Sequence, residues 1–365
     1  MVDCPFNKKG MVFLGKMRIK SFYGDYFVHF TEEIDYNNIV KDGDIVVIDQ
    51  VVYDLYEKDF YNILNEKNTI KIDATERQKS YEGLIPIMEE VIHRGFHKNN
   101  TLIAIGGGIT QDIVAFMASI LYRGVKWELI PTTLLAQCDS CIGSKTSINF
   151  SSYKNQVGGF YPAGNVYIAP HFLKTLSEKE IKSGLGEMLH YYVVGGEEDF
   201  DYFSANYVQS MNDSHLLQQM IKRSLEIKKR YIEIDEYDKN ERQIFNYGHS
   251  FGHAIETMTN YNVPHGIAVA YGMDIANYIS VKNGIQKNSV REKIRNVIKG
   301  LLAKGVIEKF DVNEYIKLLG KDKKNEGERL GIILCADFGN LSKYMVYPDQ
   351  EFCQLLINYF AHEIA

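Results

Sequence analysis

The segment TLIAIGGGITQDIVAFMASILYRGVKWELIPTT (101–133) constrains the fold more than any other. An apolar, β-branched run enters three glycines over 101–108. A helical stretch then spans 112–124, closed by Gly124, and a second apolar run follows over 127–133. Strand–helix–strand with so short a connection is a right-handed parallel crossover. IVVID (45–49) reads as another buried parallel strand ending in Asp49, and YEGLIPIMEEVIHRG (81–95) as a helix stopped by Gly95. These segments predict an α/β domain with a parallel sheet. Gly106, Gly107 and Gly108 let the backbone approach a ligand, and the following helix N-terminus favours a pyrophosphate. The run is not GxGxxG, because position 111 is Gln, and a plain tight turn is the competing reading. Thr132 and Thr133 add hydroxyls at the carboxyl end of the next strand, where ligands of parallel sheets gather.

Near residue 165 the texture changes. After NVYIAP (165–170), strand signals become rare and long amphipathic stretches follow at 177–194, 213–235 and 265–284. The expected organisation is an α/β domain over 1–167 and a mainly helical domain over 168–365. RLGIILCADFG (329–339) reads as a late hairpin or a strand rejoining the core. KKRYIEIDEYDKNER (228–242) is charged and reads, on composition alone, as a solvated helix face and turn. A chain of 365 residues with 45% hydrophobic content suits two such domains. A net charge of −6 argues against a nucleic-acid partner. No apolar run is long enough to span a membrane, and the N-terminus lacks a secretory pattern. The scattered cysteines, Cys4, Cys138, Cys141, Cys335 and Cys353, suit reduced thiols in a cytoplasm. Cys138 and Cys141 form a lone CxxC, read here as two small buried residues at a turn rather than a metal or redox pair.

Two clusters can carry chemistry. In FNYGHSFGHAIE (245–256), His249 and His253 are four apart and share a helical face; His265 follows in PHGIAVAYG, and Glu187 lies in GLGEMLHYY. The pattern is not HExxH. Two or three histidines with one carboxylate suit a catalytic zinc with an open coordination position. Spacing does not say which three ligate; alone it favours the pair His249 and His253, and helix-packing histidines are the plain alternative. The second cluster is cationic: Lys145 in DSCIGSKTSIN and Lys154–Asn155 in SSYKNQVGGFYP lie among small residues and can close on phosphate or carboxylate. Asp139 is a possible acid–base partner for Lys145.

Together, GGGITQDIVAFMAS, YRGV, IPTTLLAQCDSCIGSKTSIN, KNQVGGFYP, GLGEMLHY, NYGHSFGHAIE, PHGIAVAYGM and DKKNEGERLGIIL resemble the dehydroquinate synthase family of sugar phosphate cyclases, over about residues 45–340. The resemblance implies a Rossmann-like dinucleotide-binding α/β domain followed by a helical metal-binding domain. It implies that Glu187, His249 and His265 ligate zinc or cobalt, which moves His253 from ligand to substrate contact. It implies that Asp49, Glu76, Lys79, Gly107, Gly108, Asp112, Thr132, Thr133 and Lys154 hold NAD. Asp139, Lys145, Asn155, Lys228, Arg242 and Asn246 fall on substrate-pocket positions. One of Lys323 and Lys324 meets phosphate, and Arg123 reaches the neighbouring subunit's site in a homodimer. The implied reaction oxidises a phosphorylated sugar transiently, eliminates phosphate, re-reduces, and closes a carbocycle by an intramolecular aldol step.

Three departures stand out: Gln111 replaces a usual glycine, Ser144 interrupts a usual Gly-Gly-Lys, and His190 stands where dehydroquinate synthases carry lysine. Imidazole is shorter and mostly neutral at pH 7, so His190 suggests a differently decorated substrate. Two other classes remain in contention. A metal-dependent polyol dehydrogenase releases NADH, whereas a cyclase releases phosphate with no net NADH. A non-catalytic homologue is expected to have lost metal ligands.

Overall fold

The computed structural model describes residues 13–151, 153–302, 311–320, 325 and 327–364. Lys323, Lys324 and Cys4 lie outside the described residues. The chain divides into two compact units, Met1–Thr175 and Leu176–Ala365.

Among the described residues, the first unit contains β1 (Phe13–Ile19), β2 (Tyr26–Thr31), β3 (Ile45–Asp49), β4 (Thr69–Ile72), β5 (Thr101–Gly106), β6 (Lys126–Pro131), β7 (Lys145–Phe150), β8 (Tyr153–Phe160) and β9 (Asn165–Ile168). Seven form one sheet in the order β1-β2-β9-β6-β5-β3-β4. All its pairs are parallel except the edge pair β1–β2. β3 and β5 are buried almost throughout, as a sheet covered on both faces requires. Ile48, Ile103, Ile105 and Ile130 meet Phe60 and Phe172 in the core beneath one face. The chain runs outward from β3 to β4, then crosses back to β5. The strand order therefore reverses between β3 and β5, where doubly wound sheets bind ligands at their carboxyl ends.

The helix expected from Asp112 begins at Gly108 and ends at Ile120, followed by a tight turn over Leu121–Arg123. Gly107 is its N-cap, so the helix opens on the glycines themselves and Asp112 sits one turn inside. β7 and β8 form a separate antiparallel hairpin that the glycine-rich composition of 143–159 concealed. The unit extends to residue 175 rather than 167 because the Tyr56 hydroxyl donates to His171 O and Phe172 O, both at 3.1 Å. Cys138 and Cys141 are buried free thiols in the short turn after β6; Cys141 Sγ donates to Gln137 O at 3.4 Å.

Among its described residues, the second unit is helical apart from an antiparallel hairpin, β10 (Leu330–Asp337) with β11 (Asn340–Val346), which does not join the large sheet. Its central helix, His265–Lys282, is buried from Gly266 to Ser280, mostly through apolar residues, as expected of a helix wrapped by others. Within that helix Asp274 is fully buried. Its Oδ1 lies 3.3 Å from Arg291 Nε, and its Oδ2 accepts from the Tyr359 hydroxyl at 2.9 Å and lies 3.4 Å from Arg295 Nε. This ion cluster ties helices Asn288–Leu301 and Gln350–His362 to the central one. Among the described residues, no helix is long and apolar enough to cross a membrane.

Candidate active-site residues

In the second unit, three helices deliver the metal-ligating types. Glu178–Gly195 carries Glu187 and His190, His249–Met258 carries His249 and His253, and His265–Lys282 opens on His265. Glycine lets these helices touch backbone to backbone. A Cβ on Gly186 would stand 2.3 Å from Gly266 O, and one on Gly272 would stand 1.9 Å from Gly248 O. This close approach brings ligand atoms of Glu187, His249 and His265 within 4.8 Å of one another. Glu187 Oε1 lies 3.4 Å from His249 Nε2, and Oε2 lies 3.4 Å from His265 Nε2. Ligands about 2.0–2.1 Å from a tetrahedral zinc stand roughly 3.4 Å apart, so the spacing fits. Glu187 Oε2 is buried and finds no hydrogen-bond partner, which a cation between the three side chains would supply.

The surroundings fix these side chains. His249 Nδ1 lies 3.2 Å from Tyr247 O, so its Nε2 carries the free lone pair when Nδ1 donates. His190, wholly buried, places Nδ1 2.7 Å from Glu187 O and 3.2 Å from Glu187 Oε1; its Nε2 is buried without a hydrogen-bond partner. Burial pushes the Glu187 carboxyl up, but His249 and His190 outweigh that and hold it well below the usual range. Burial lowers His249. Burial also opposes charge on His265, yet Glu187 and Glu256 together raise it well above the ordinary imidazole value.

His253 is exposed, its ring 5.6 Å from His249 and 5.7 Å from His265, beside the ligand triad rather than within it. Lys228 and Arg242 are 5% and 4% exposed, and Asp235 and Glu236 are also buried, so the reading of 228–242 as a solvated face and turn holds for Arg230, Glu233 and Lys239–Glu241 but fails for these four. Asp235 gathers the loop by accepting from the backbone N–H groups of Lys239, Asn240 and Arg242, and Arg242 Nη1 donates to Glu236 O at 2.6 Å. Charge patterning missed this because the carboxylate serves the backbone rather than water. Lys228 Nζ lies 5.8 Å from the centre of the Tyr191 ring, which neighbours His190. Asn246 Nδ2 donates to Gln243 O at 2.9 Å.

In the first unit, the residues expected at NAD follow the carboxyl ends of adjacent strands. Asp49 ends β3 and caps the next turn, its Oδ1 accepting from Val51 N at 2.9 Å; burial raises its carboxyl. Gly107 and Gly108 follow β5, and Thr132 and Thr133 follow β6. A Cβ on Gly107 would meet Thr133 Cγ2 at 2.9 Å, whereas at Gly108 nothing lies within 4 Å. That open cradle at a helix N-terminus fits a pyrophosphate. Lys79 Nζ contacts Asp112 Oδ2 at 2.6 Å, and Lys154 Nζ contacts Glu76 Oε1 at 3.4 Å. Asn149, which the sequence did not flag, holds Glu76 Oε2 through its Nδ2 (2.8 Å) and accepts from Asn155 N (3.0 Å), joining Glu76 to the β7–β8 hairpin. That hairpin carries Lys145, Lys154 and Asn155, and Asp139 lies in the turn before it. Arg123 is exposed, and both it (φ 64°) and Tyr122 (φ 49°) are left-handed.

Residues 69–183 match the 3-dehydroquinate synthase N-terminal family and 184–325 the 3-dehydroquinate synthase C-terminal family. The 3-dehydroquinate synthase of Dictyoglomus thermophilum is 33% identical over 343 residues, covering 92% of this chain and 91% of that protein. A bifunctional 3-dehydroquinate synthase/phosphatase of Fusobacterium nucleatum subsp. nucleatum is 31% identical over 340 residues; these cover 91% of this chain but span only 51% of that protein. Among solved structures, a 2-deoxy-scyllo-inosose synthase complexed with carbaglucose-6-phosphate, NAD+ and Co2+ has the same fold, with a TM-score of 0.83 at 21% identity over 96% of this chain and 100% of that one. One-third identity across nine-tenths of both chains, with both halves matched in order, makes this chain a member of the 3-dehydroquinate synthase family.

Proposed function

We propose that the protein is an NAD- and divalent-metal-dependent sugar phosphate cyclase of the 3-dehydroquinate synthase type, acting as a cytoplasmic homodimer. The observation that carries this reading is the convergence of Glu187, His249 and His265 at spacings a tetrahedral cation requires. When bound, NAD supplies a reversible hydride acceptor and zinc or cobalt a Lewis acid for a substrate hydroxyl.

The chain's own residues supply the rest. Gly107, Gly108, Thr132 and Thr133 cradle the pyrophosphate, while Asp49, Glu76, Lys79, Asp112 and Lys154 orient the remainder of the dinucleotide. Lys145, Asn155, Lys228, Arg242 and Asn246 bind the substrate's charged and hydroxyl groups and stabilise negative charge as phosphate leaves. His253, exposed beside the ligands, reaches a substrate hydroxyl, and Asp139 is placed before Lys145 to orient it. Lys323 or Lys324 meets the phosphate. The consecutive left-handed residues at 122 and 123 hold Arg123 outward, as a residue completing a partner's site must be; strain of this kind clusters at functional positions. Cys138, Cys141, Cys335 and Cys353 are free thiols, which suits a reducing compartment.

The test is to supply purified protein with NAD, zinc and the heptulosonate phosphate of the shikimate route, with sedoheptulose 7-phosphate and glucose 6-phosphate alongside. Stoichiometric phosphate release without NADH accumulation is expected. NADH accumulation from polyols, with no phosphate released from any sugar, would point to a dehydrogenase. His190 favours a second reading, a cyclase with a different substrate. It buries an imidazole beside Glu187, shorter than the lysine that the family resemblance implies there, and turnover of one of the other two sugar phosphates in preference would establish it.

A further inference from the structure

Glu256 lies on the same helix as His249 and His253, and its Oε2 stands 3.2 Å from His265 Nδ1. Two arrangements compete for this carboxylate. His253, Glu256 and His265 also bring ligand atoms within 4.8 Å of one another, as a second cation trio. Alternatively, His265 Nδ1 donates its proton to Glu256. The two exclude each other, because a nitrogen that donates a proton has no lone pair for a metal.

We propose that Glu256 is the positioning residue of His265, fixing the tautomer in which Nε2 faces Glu187. This rests on the reading that Glu187, His249 and His265 hold the metal. Three observations favour it. His265 Nε2 already lies 3.4 Å from Glu187 Oε2, the buried oxygen with no hydrogen-bond partner. His249 is arranged the same way, Nδ1 to a carbonyl and Nε2 to Glu187. Packing also differs: the His249 side chain is 14% exposed and the His265 side chain 33%, at the first residue of its helix. Neighbours hold His249, whereas the ring of His265 needs a hydrogen bond to hold it. A carboxylate on the far nitrogen also makes an imidazole a more basic ligand.

The experiment uses the full chain stripped of metal, titrated with zinc against a chromogenic chelator. Glu256→Ala is expected to weaken zinc about 10–100-fold, the range for residues that support a ligand. Glu256→Gln, which keeps an uncharged acceptor, should recover part of that loss. Both should keep one zinc per chain and a cooperative unfolding transition without metal, and the cobalt(II) form should show a shifted visible spectrum. Wild-type affinity in Glu256→Ala, with binding lost in Glu187→Gln and His249→Ala, overturns the positioning role alone. Equal losses in Glu256→Ala and His253→Ala with Glu187→Gln unaffected place the cation in the second trio and overturn both readings. Two zincs per wild-type chain, with the second lost in Glu256→Ala, likewise overturns the positioning role.

Discussion

Gln111 and Ser140 exchange two hydrogen bonds: Gln111 Nε2 donates to Ser140 O at 2.6 Å, and the Ser140 hydroxyl donates to Gln111 Oε1 at 2.9 Å. The buried glutamine thus joins the first turn of the glycine-capped helix to the turn carrying Asp139. Gln111→Ala leaves a carbonyl and a hydroxyl without their partner, at a cost of about 1–3 kcal/mol. Gln111→Gly should cost about 1 kcal/mol more through backbone freedom in the helix. Urea unfolding measures both. Because the turn loosens while the glycine cradle stays intact, kcat should fall more than NAD affinity.

The ion cluster around Asp274 predicts a pH-dependent penalty. Burial raises this carboxyl above its ordinary value, against the pull of Arg291 and Arg295. A raised carboxyl contributes stability at low pH that is lost as pH climbs through its folded value. Removing Arg291 by Arg291→Met should cost about 3–5 kcal/mol near neutrality. It should also raise the carboxyl further, so the deficit shrinks toward pH 5 and grows toward pH 8. A deficit independent of pH would mean that Arg295 and Tyr359 hold the charge unaided.

Metal binding should respond to pH in the opposite sense. In the metal-free protein Glu187 and Glu256 raise His265, so its proton stabilises the fold below the ordinary imidazole value and is lost as pH rises through the raised one. Zinc must displace that proton. The gain in melting temperature on adding zinc should therefore increase from pH 6 to pH 8, in calorimetry at fixed free zinc. His249, lowered by burial, should add less to the slope than His265.

Arg123 gives a complementation test of the proposed homodimer. Arg123→Ala should abolish turnover without changing stability, since the side chain is exposed. Mixed and re-equilibrated with Glu187→Gln, it should recover about a quarter of wild-type activity, because half the dimers are mixed and each has one complete site. No recovery on mixing, in a dimer shown to exchange subunits, would place Arg123 within its own chain's site.

The parallel strands and the helical second half were legible because buried strands are continuous apolar runs and amphipathic helices repeat every 3.6 residues. The β7–β8 hairpin was not, since KTSINF and YKNQVGGF are polar and glycine-rich. Spacing found the histidines but paired His249 with His253, because a helical face is visible in sequence and the approach of another helix is not. His265 and Glu187 were reached through resemblance. Asn149, Gln111 and Glu256 act through hydrogen bonds to residues outside their own motifs; Gln111 showed in the sequence only as a departure from the glycine pattern, and the partners of all three did not show.

The backbone contact between Gly186 and Gly266 works as a caliper. The separation of Glu187 from His265 is set by two helix axes that have no side chain between them to yield. Such a site tolerates little change in ionic radius. Exchanging its ligands for shorter ones, such as aspartate for glutamate, would leave a gap the helices are already too close to cross, so replacement metals must match the existing reach.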